Sequence, residues 1–292
     1  MIYLGLDTCV WLNIAKLDDD TLLSSFEQLL NEEKITFIVP EIVKIEFSRN
    51  KEIKVIEPLK KSYHSKLKNI QEMSKLVEQP DSELIQSIFK KYTDNYEQLL
   101  TVHRKNIERI ERILTDGIHI EPSIEQKAEG AMMALDKKAP FFGEKKNEMT
   151  DCLILFSVLE AARKQNCKPI YFITDNVDDF AVSKREENNE RFTMHENIAH
   201  FFDEPDVKYL LSPKITELVD MIQPDLINED EAKRINEDFT FIREAEERRK
   251  KCNHEFDTEN GFWFNSMYGG GLSWHYRCKN CGVYYDTGDY YN

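Results

Sequence analysis

A chain of 292 residues with 41% hydrophobic content is long enough to bury a sizeable core, as one large domain or two smaller ones. A net charge of −15 opposes indiscriminate binding to phosphates, so any contact with nucleic acid must come from local basic patches. Nothing approaches the roughly 20 apolar residues of a membrane span, and the amino terminus lacks the basic stretch and cleavage site of a signal peptide, so a cytoplasmic protein with no membrane contact is expected.

The first element is "IYLGLDT" (2–8), a short apolar run that reads as a strand and passes into helix-period residues from Val10. A helical pattern covers 20–31. "ITFIVP" (35–40) is β-branched and aromatic and stops at a proline, which predicts a second buried strand, with a helix over 41–50 behind it. Residues 51–116 are rich in Lys, Glu, Gln and Leu at helical spacing, and Tyr96–Gly117 reads as one long helix closed by a glycine cap. The span 51–136 is therefore expected as a helical insertion, either an arm packed on itself or a clamp on substrate. A helix over 151–165, with Thr150 as its N-cap, precedes a third strand, "KPIYFITD" (168–175). Helical patterns at 195–202 and 214–222 flank a fourth strand, "VKYLLS" (207–212). Strand alternating with helix is the pattern of right-handed βαβ units around a parallel sheet, so the expected class is α/β. The expected domains are 1–222, a charged helical connector over 223–251 and a small module over 252–292. Cys9, Cys152 and Cys167 lie in apolar surroundings and read as reduced core residues. Basic clusters at Arg49–Lys68, Lys137–Lys138, Lys145–Lys146 and Arg248–Lys251 read as solvated helix faces or as one polarised surface.

Four acids fall where a parallel sheet gathers its ligands, at the carboxyl ends of its strands. Asp7 ends the first strand and Asp175 the third; Glu46 lies in the helix after the second strand, and Asp151 opens a later helix. Each alone is explained by a cap or a surface charge. Together they would repel one another and hold on to their protons unless a divalent cation sat among them. Mg²⁺ or Mn²⁺ takes such hard oxygen ligands and bridges to phosphate, which is the equipment for phosphodiester hydrolysis.

"LDTCVWLNIAK", "VPEIVKIEF", "TDCLILFSVLEAA" and "YFITDNVDDF" follow the order and style of a known family: the chain resembles PIN-domain ribonucleases over about residues 1–50 and 140–222. That resemblance implies a three-layer α/β/α fold, an acidic pocket holding Mg²⁺ or Mn²⁺, and cleavage of single-stranded or structured RNA. It carries the principal metal-ligand roles onto Asp7, Glu46 and Asp151. The fourth position stays open between Asp175 and Asp179, because Asn176 stands where an acid is common. Thr8 and Thr174 would orient ligands, and Asn176 falls in the same motif. Lys145 and Lys146, on the basic approach to Asp151, would hold the scissile strand's phosphates or balance neighbouring acids. The wide spacing from Glu46 to Asp151 departs from small members of the family, and the helical insertion accounts for it.

At the carboxyl end, Cys252-x-His254 and Cys278-x-x-Cys281 form two knuckle-like pairs around a hairpin signal at Gly269–Gly271. Thiolate and imidazole favour tetrahedral Zn²⁺, and four protein ligands make the site structural. The stretch resembles a zinc ribbon. His275 competes as a ligand, though Trp274 beside it suggests packing. The many aromatics there suit a mini-core, base stacking or a protein contact. The expected activity is a Mg²⁺- or Mn²⁺-dependent endoribonuclease, in RNA turnover or as a toxin or defence protein. The alternatives are a scaffold that keeps the fold with weak catalysis and binds RNA or protein, and a DNA-directed nuclease; no helix-hairpin-helix signal supports the latter. An inhibitor or partner protein and a homodimer are left open.

Overall fold

The computed structural model describes residues 1–94, 96–141, 148–164, 169–180, 194–200, 207–250, 252–265, 272–281 and 283–290. The chain divides into two units, Met1–Asp238 and Phe239–Asn292. Lys145, Lys146, Cys167 and the Gly269–Gly271 hairpin signal lie outside the described residues. Among the described residues no helix is long and apolar enough to cross a membrane.

The first unit begins with β1 (Ile2–Leu6), α1 (Thr8–Ala15), α2 (Thr21–Asn31) and β2 (Ile35–Pro40). Next come α3 (Glu41–Lys51), a π-helical turn (Glu52–Ile56), α4 (Glu57–Met73), α5 (Asp81–Asp94) and α6 (Tyr96–Asp116). The chain returns through β3 (Ile118–Ile120), α7 (Ile124–Leu135), α8 (Glu148–Lys164), β4 (Ile170–Ile173), α9 (Val177–Phe180) and α10 (Glu196–Ala199). It closes with β5 (Val207–Leu210), a 3-10 turn (Ser212–Lys214) and α11 (Ile215–Ile222), and α12 (Glu229–Lys250) runs on across the division. The strands form one parallel sheet in the order β3-β2-β1-β4-β5. Continuous apolar runs such as "ITFIVP" and "IYFI" suit this sheet, because helices bury both faces of its central strands. Trp11 and Phe26 close on Phe37 of β2, with ring centroids 5.1 and 5.3 Å away. Gly5 of β1 lets α8 come close: a Cβ there would stand 2.9 Å from Val158 Cγ2.

Four expected strands are present, and the fifth, β3, had no sequence counterpart. The stretch before it also differs from an arm that packs only on itself. α6 buries Leu100, Ile107, Ile110, Ile113 and Leu114 and reaches α1 and α2 through polar side chains. Gly117, the first residue past its end, has a steric reason to be glycine, since a Cβ there would stand 2.5 Å from Val39 Cγ2 and 2.9 Å from the Phe37 carbonyl oxygen. α5, in contrast, buries no residue. Lys51, Lys60 and Lys68 of the basic stretch pair with Glu111, Glu57 and Glu72, as on a solvated face. α8 starts at Glu148, two residues earlier than expected, so Thr150 lies inside the helix and is not its N-cap.

The second unit carries an antiparallel sheet of β6 (Phe256–Asn265), β7 (Leu272–Cys278) and β8 (Tyr284–Tyr290), in that order.

Candidate functional site

The sheet's order places a switch point between β1 and β4, where successive connections leave in opposite directions and open a crevice at the carboxyl edge. Leu6 is in register with Ile173, and Asp7 continues the ladder by donating its N–H to the Ile173 carbonyl oxygen (2.9 Å). Asp7 therefore leaves β1 beside Thr174 as it leaves β4. Asp7 occupies the N-cap position of α1, yet its carboxylate makes no capping bond. It accepts instead from Thr174 Oγ1 (2.7 Å), with further hydrogen bonds from the Cys9 thiol and the Thr8 backbone. Asp7 is 3% exposed. Cys9, expected in the core, is half-buried at this carboxylate, because the turn into α1 aims it at Asp7.

Thr8 continues the cluster by donating its hydroxyl to Glu46 Oε2 (2.8 Å), which ties the start of α1 to α3. Across the crevice, Asp175 takes three donors. Ser212 gives its N–H to Oδ1 (3.0 Å) and its hydroxyl to Oδ2 (2.6 Å), and Asn13 Nδ2 reaches Oδ2 at 3.2 Å. Lys16 in turn donates to Asn13 Oδ1 (3.0 Å). Sequence reasoning missed Ser212, Asn13 and Lys16, whose only signal was position, one just after β5, one in the last turn of α1 and one at its C-cap.

Asp151 comes through α8. It lies two turns before Val158 on the same helical face, and Val158 packs against Gly5 of β1. Since α8 is followed by β4 after a short connection, its first turns belong to the sheet's carboxyl edge. Asp179 of α9 is buried, and its N–H donates to the Asn176 carbonyl oxygen (3.4 Å). The Asn176 N–H donates to Thr174 Oγ1 (3.1 Å), so Asn176 fixes the threonine that holds Asp7.

Burial is the main cause that raises the Asp7 carboxyl above its ordinary pKa; its hydrogen bonds from Thr174, Cys9 and Thr8 oppose this, and the Asp175 charge adds to it. Glu46 is raised in the same way, by burial first, against the Thr8 bond, with Asp7 repelling it and Lys54 and Arg49 partly compensating. Hard oxygen donors that are desolvated and repel one another are a donor set suited to Mg²⁺ or Mn²⁺. Lys54 and Arg49 are basic groups near these acids that the motif pattern did not single out.

The second unit holds another set of ligand atoms. Those of Cys252, His254, Cys278 and Cys281 lie within 4.8 Å of one another. Cys252 and Cys278 sulfurs are 3.6 Å apart, and Cys281 Sγ is 3.3 Å from His254 Nδ1. A tetrahedron with Zn–S bonds of about 2.3 Å has edges near ~3.8 Å, so the four fit zinc. Burial opposes ionisation of Cys278, but backbone N–H groups of Cys281 and Asn280 and the His254 and Cys252 side chains prevail and bring it down to about 6. Burial and hydrogen bonds to the other two thiols push Cys252 up to about 12. His275 is outside this cluster: it is buried, 2.9 Å from Ser273 Oγ, and stacks on Phe262.

A family model described as PIN domain matches residues 4–180, well over half of the chain. The matched span includes the helical stretch between β2 and β3, and it ends at Phe180, before β5. No curated protein and no solved structure matches the chain. PIN domains are a nuclease-type fold that typically uses divalent metal ions. With its parallel sheet, its order of strands and this match, the chain belongs to the PIN-domain family.

Proposed function

We propose that this protein is a metal-dependent endoribonuclease that hydrolyses phosphodiester bonds of single-stranded or structured RNA. The observation that carries the reading is the buried Asp7 at the switch point of the sheet, flanked by the half-buried Glu46 and Asp175, each of which it repels. Asp7, Glu46 and Asp151 would hold Mg²⁺ or Mn²⁺, with Asp175 or Asp179 completing the acidic ring. The cation supplies a Lewis acid that polarises the scissile phosphate and the attacking water. Thr174 fixes the Asp7 carboxylate and Thr8 that of Glu46, so neither has to reorient when charge builds on the phosphate. Asn176 braces Thr174 through its N–H. Arg49 and Lys54 near Glu46, with Lys145 and Lys146 on the approach to Asp151, would hold the backbone phosphates on either side of the cut. In the second unit, zinc on Cys252, His254, Cys278 and Cys281 would be structural.

The test is incubation of wild type and Asp7→Asn with labelled tRNA, mRNA and single-stranded DNA, in Mg²⁺ or Mn²⁺ and then in EDTA. Wild type is expected to cut RNA internally, to prefer it to DNA and to stop in EDTA. Asp7→Asn should be slower by on the order of 100-fold or more, since it removes a ligand charge from the centre of the site. Equal cutting by both proteins would remove this site from the reaction.

A further inference from the structure

Asp175 differs from the other acids of the crevice in how it is held. Asp7 is held by its neighbours Thr8 and Cys9 and by Thr174, and Glu46 by the Thr8 hydroxyl, whereas both oxygens of Asp175 are engaged by residues distant from it in the chain, the backbone and side chain of Ser212 and Asn13. Those donors come from opposite sides of the crevice. Ser212 opens the 3-10 turn after β5, is 0% exposed and lies beyond the span matched by the family model. Asn13 is 1% exposed on α1 and is itself held by Lys16. A carboxylate with this many fixed donors cannot rotate freely, so its charge stays where it bears on Asp7.

We propose that Ser212, with Asn13 opposite it, is a positioning residue for metal binding: it pins Asp175 beside Asp7, so that Asp175 acts chiefly as a fixed negative charge that draws the divalent cation to Asp7 and Glu46. This rests on the metal-dependent reading above and adds to it a role for Asp175 and a part for the β5 edge of the sheet. Hydroxyl and backbone N–H together chelate the carboxylate, and removing the hydroxyl leaves only the weaker half of that clamp, the N–H to Oδ1. Threonine keeps the hydroxyl and should restore the clamp.

The experiment measures Mn²⁺ binding by electron paramagnetic resonance on the full chain without RNA, for wild type, Ser212→Ala, Ser212→Thr, Asp175→Asn, the Ser212→Ala/Asp175→Asn double variant and Asp7→Asn. Thermal melting is measured alongside, and so is the Mn²⁺ dependence of cleavage. Ser212→Ala should weaken Mn²⁺ about 5- to 20-fold and raise the Mn²⁺ needed for half-maximal cleavage, with the rate at saturating metal little changed; the size is that of one lost charge-assisted hydrogen bond. Ser212→Thr should return to within about twofold of wild type. In the Asp175→Asn background the serine change should add almost nothing, because both act on one charge. Ser212→Ala with wild-type affinity, or with a loss that persists undiminished beside Asp175→Asn, overturns the proposal. If Ser212→Ala fails to fold, Asn13→Ala takes its place in the same cycle with the same two outcomes. Failure of the underlying reading looks different: wild type and Asp7→Asn would then bind Mn²⁺ alike.

Discussion

His103 of α6 shows how a single residue can report on the packing of this fold. Its ring is 1% exposed, and its Nδ1–H donates to the Ala15 carbonyl oxygen (3.2 Å) at the end of α1. Burial holds its pKa below the ordinary 6.5, against the Ala15 bond and the charge of Asp18. The folded state therefore prefers the neutral ring, and the unfolded chain takes up the proton first as pH falls. The stabilisation from this site is complete above 6.5 and is lost progressively below it. Melting curves should show wild type losing stability below pH 6.5 more steeply than His103→Gln, and parallel curves would refute this. At the same scale, the acids of the crevice differ in how readable they were. Asp7 and Asp175 are legible because each follows an apolar run that can only be a buried strand. Ser212 and Asn13 are not, because their meeting depends on the register of β5 and on which turn of α1 faces Asp175. Cys9 misled for a related reason, since apolar neighbours say nothing about the direction of a side chain at a strand-to-helix turn.

Among the elements, α6 is the long helix the sequence reads, but its packing is not that of an arm folded on itself. Its amphipathic stripe fits an arm folded on itself as well as a wall of the α/β unit, and periodicity cannot separate the two. Arg109 supplies the distinction. It is 5% exposed and donates to Asp20 Oδ2 (2.7 Å), Ser24 Oγ (2.9 Å) and both carboxylate oxygens of Glu27 (2.8 Å each). Removing the guanidinium leaves two carboxylates facing each other over a buried gap, but both are partly exposed and can recover water. Arg109→Ala should therefore cost about 2–4 kcal/mol in chemical denaturation, with Arg109→Lys intermediate because lysine cannot reproduce the fork; a loss below ~0.5 kcal/mol would return α6 to the role of a loose arm. β3 escaped detection because "IHI" is only three residues, too short for any period, and it pairs with β2 only after the intervening helices have brought the chain back. Of the four strands that were legible, β1, β2 and β4 are the three at the centre of the sheet, where both faces must be apolar, and β5 lies at its edge.

At the scale of the molecule, the second unit is small, and a core of that size folds alone only with help. Zinc is that help if the four ligands are as the geometry suggests, and the unit's folding energy then depends on the metal. Metal analysis should give about one zinc per chain. A strong chelator, or Cys278→Ser, should abolish hydrogen-exchange protection in β6–β8 while leaving the five-stranded sheet protected. Zinc affinity should fall as pH drops, because Cys252 must give up its proton to bind, and fall more steeply below about 6, where Cys278 is protonated as well. Protection that survives metal removal would make the cluster incidental. The Cys and His spacings made this module readable, whereas the separation of His275 from the ligands needed the strands themselves to show which side it takes.

The five-stranded sheet ends on both sides in very short strands, β3 with three residues and β5 with four. Margins so brief offer a foreign backbone too few unpaired amides to zip onto. Crowding should therefore not seed fibres along this sheet, and copies that meet at its margins will have to recognise each other through side chains.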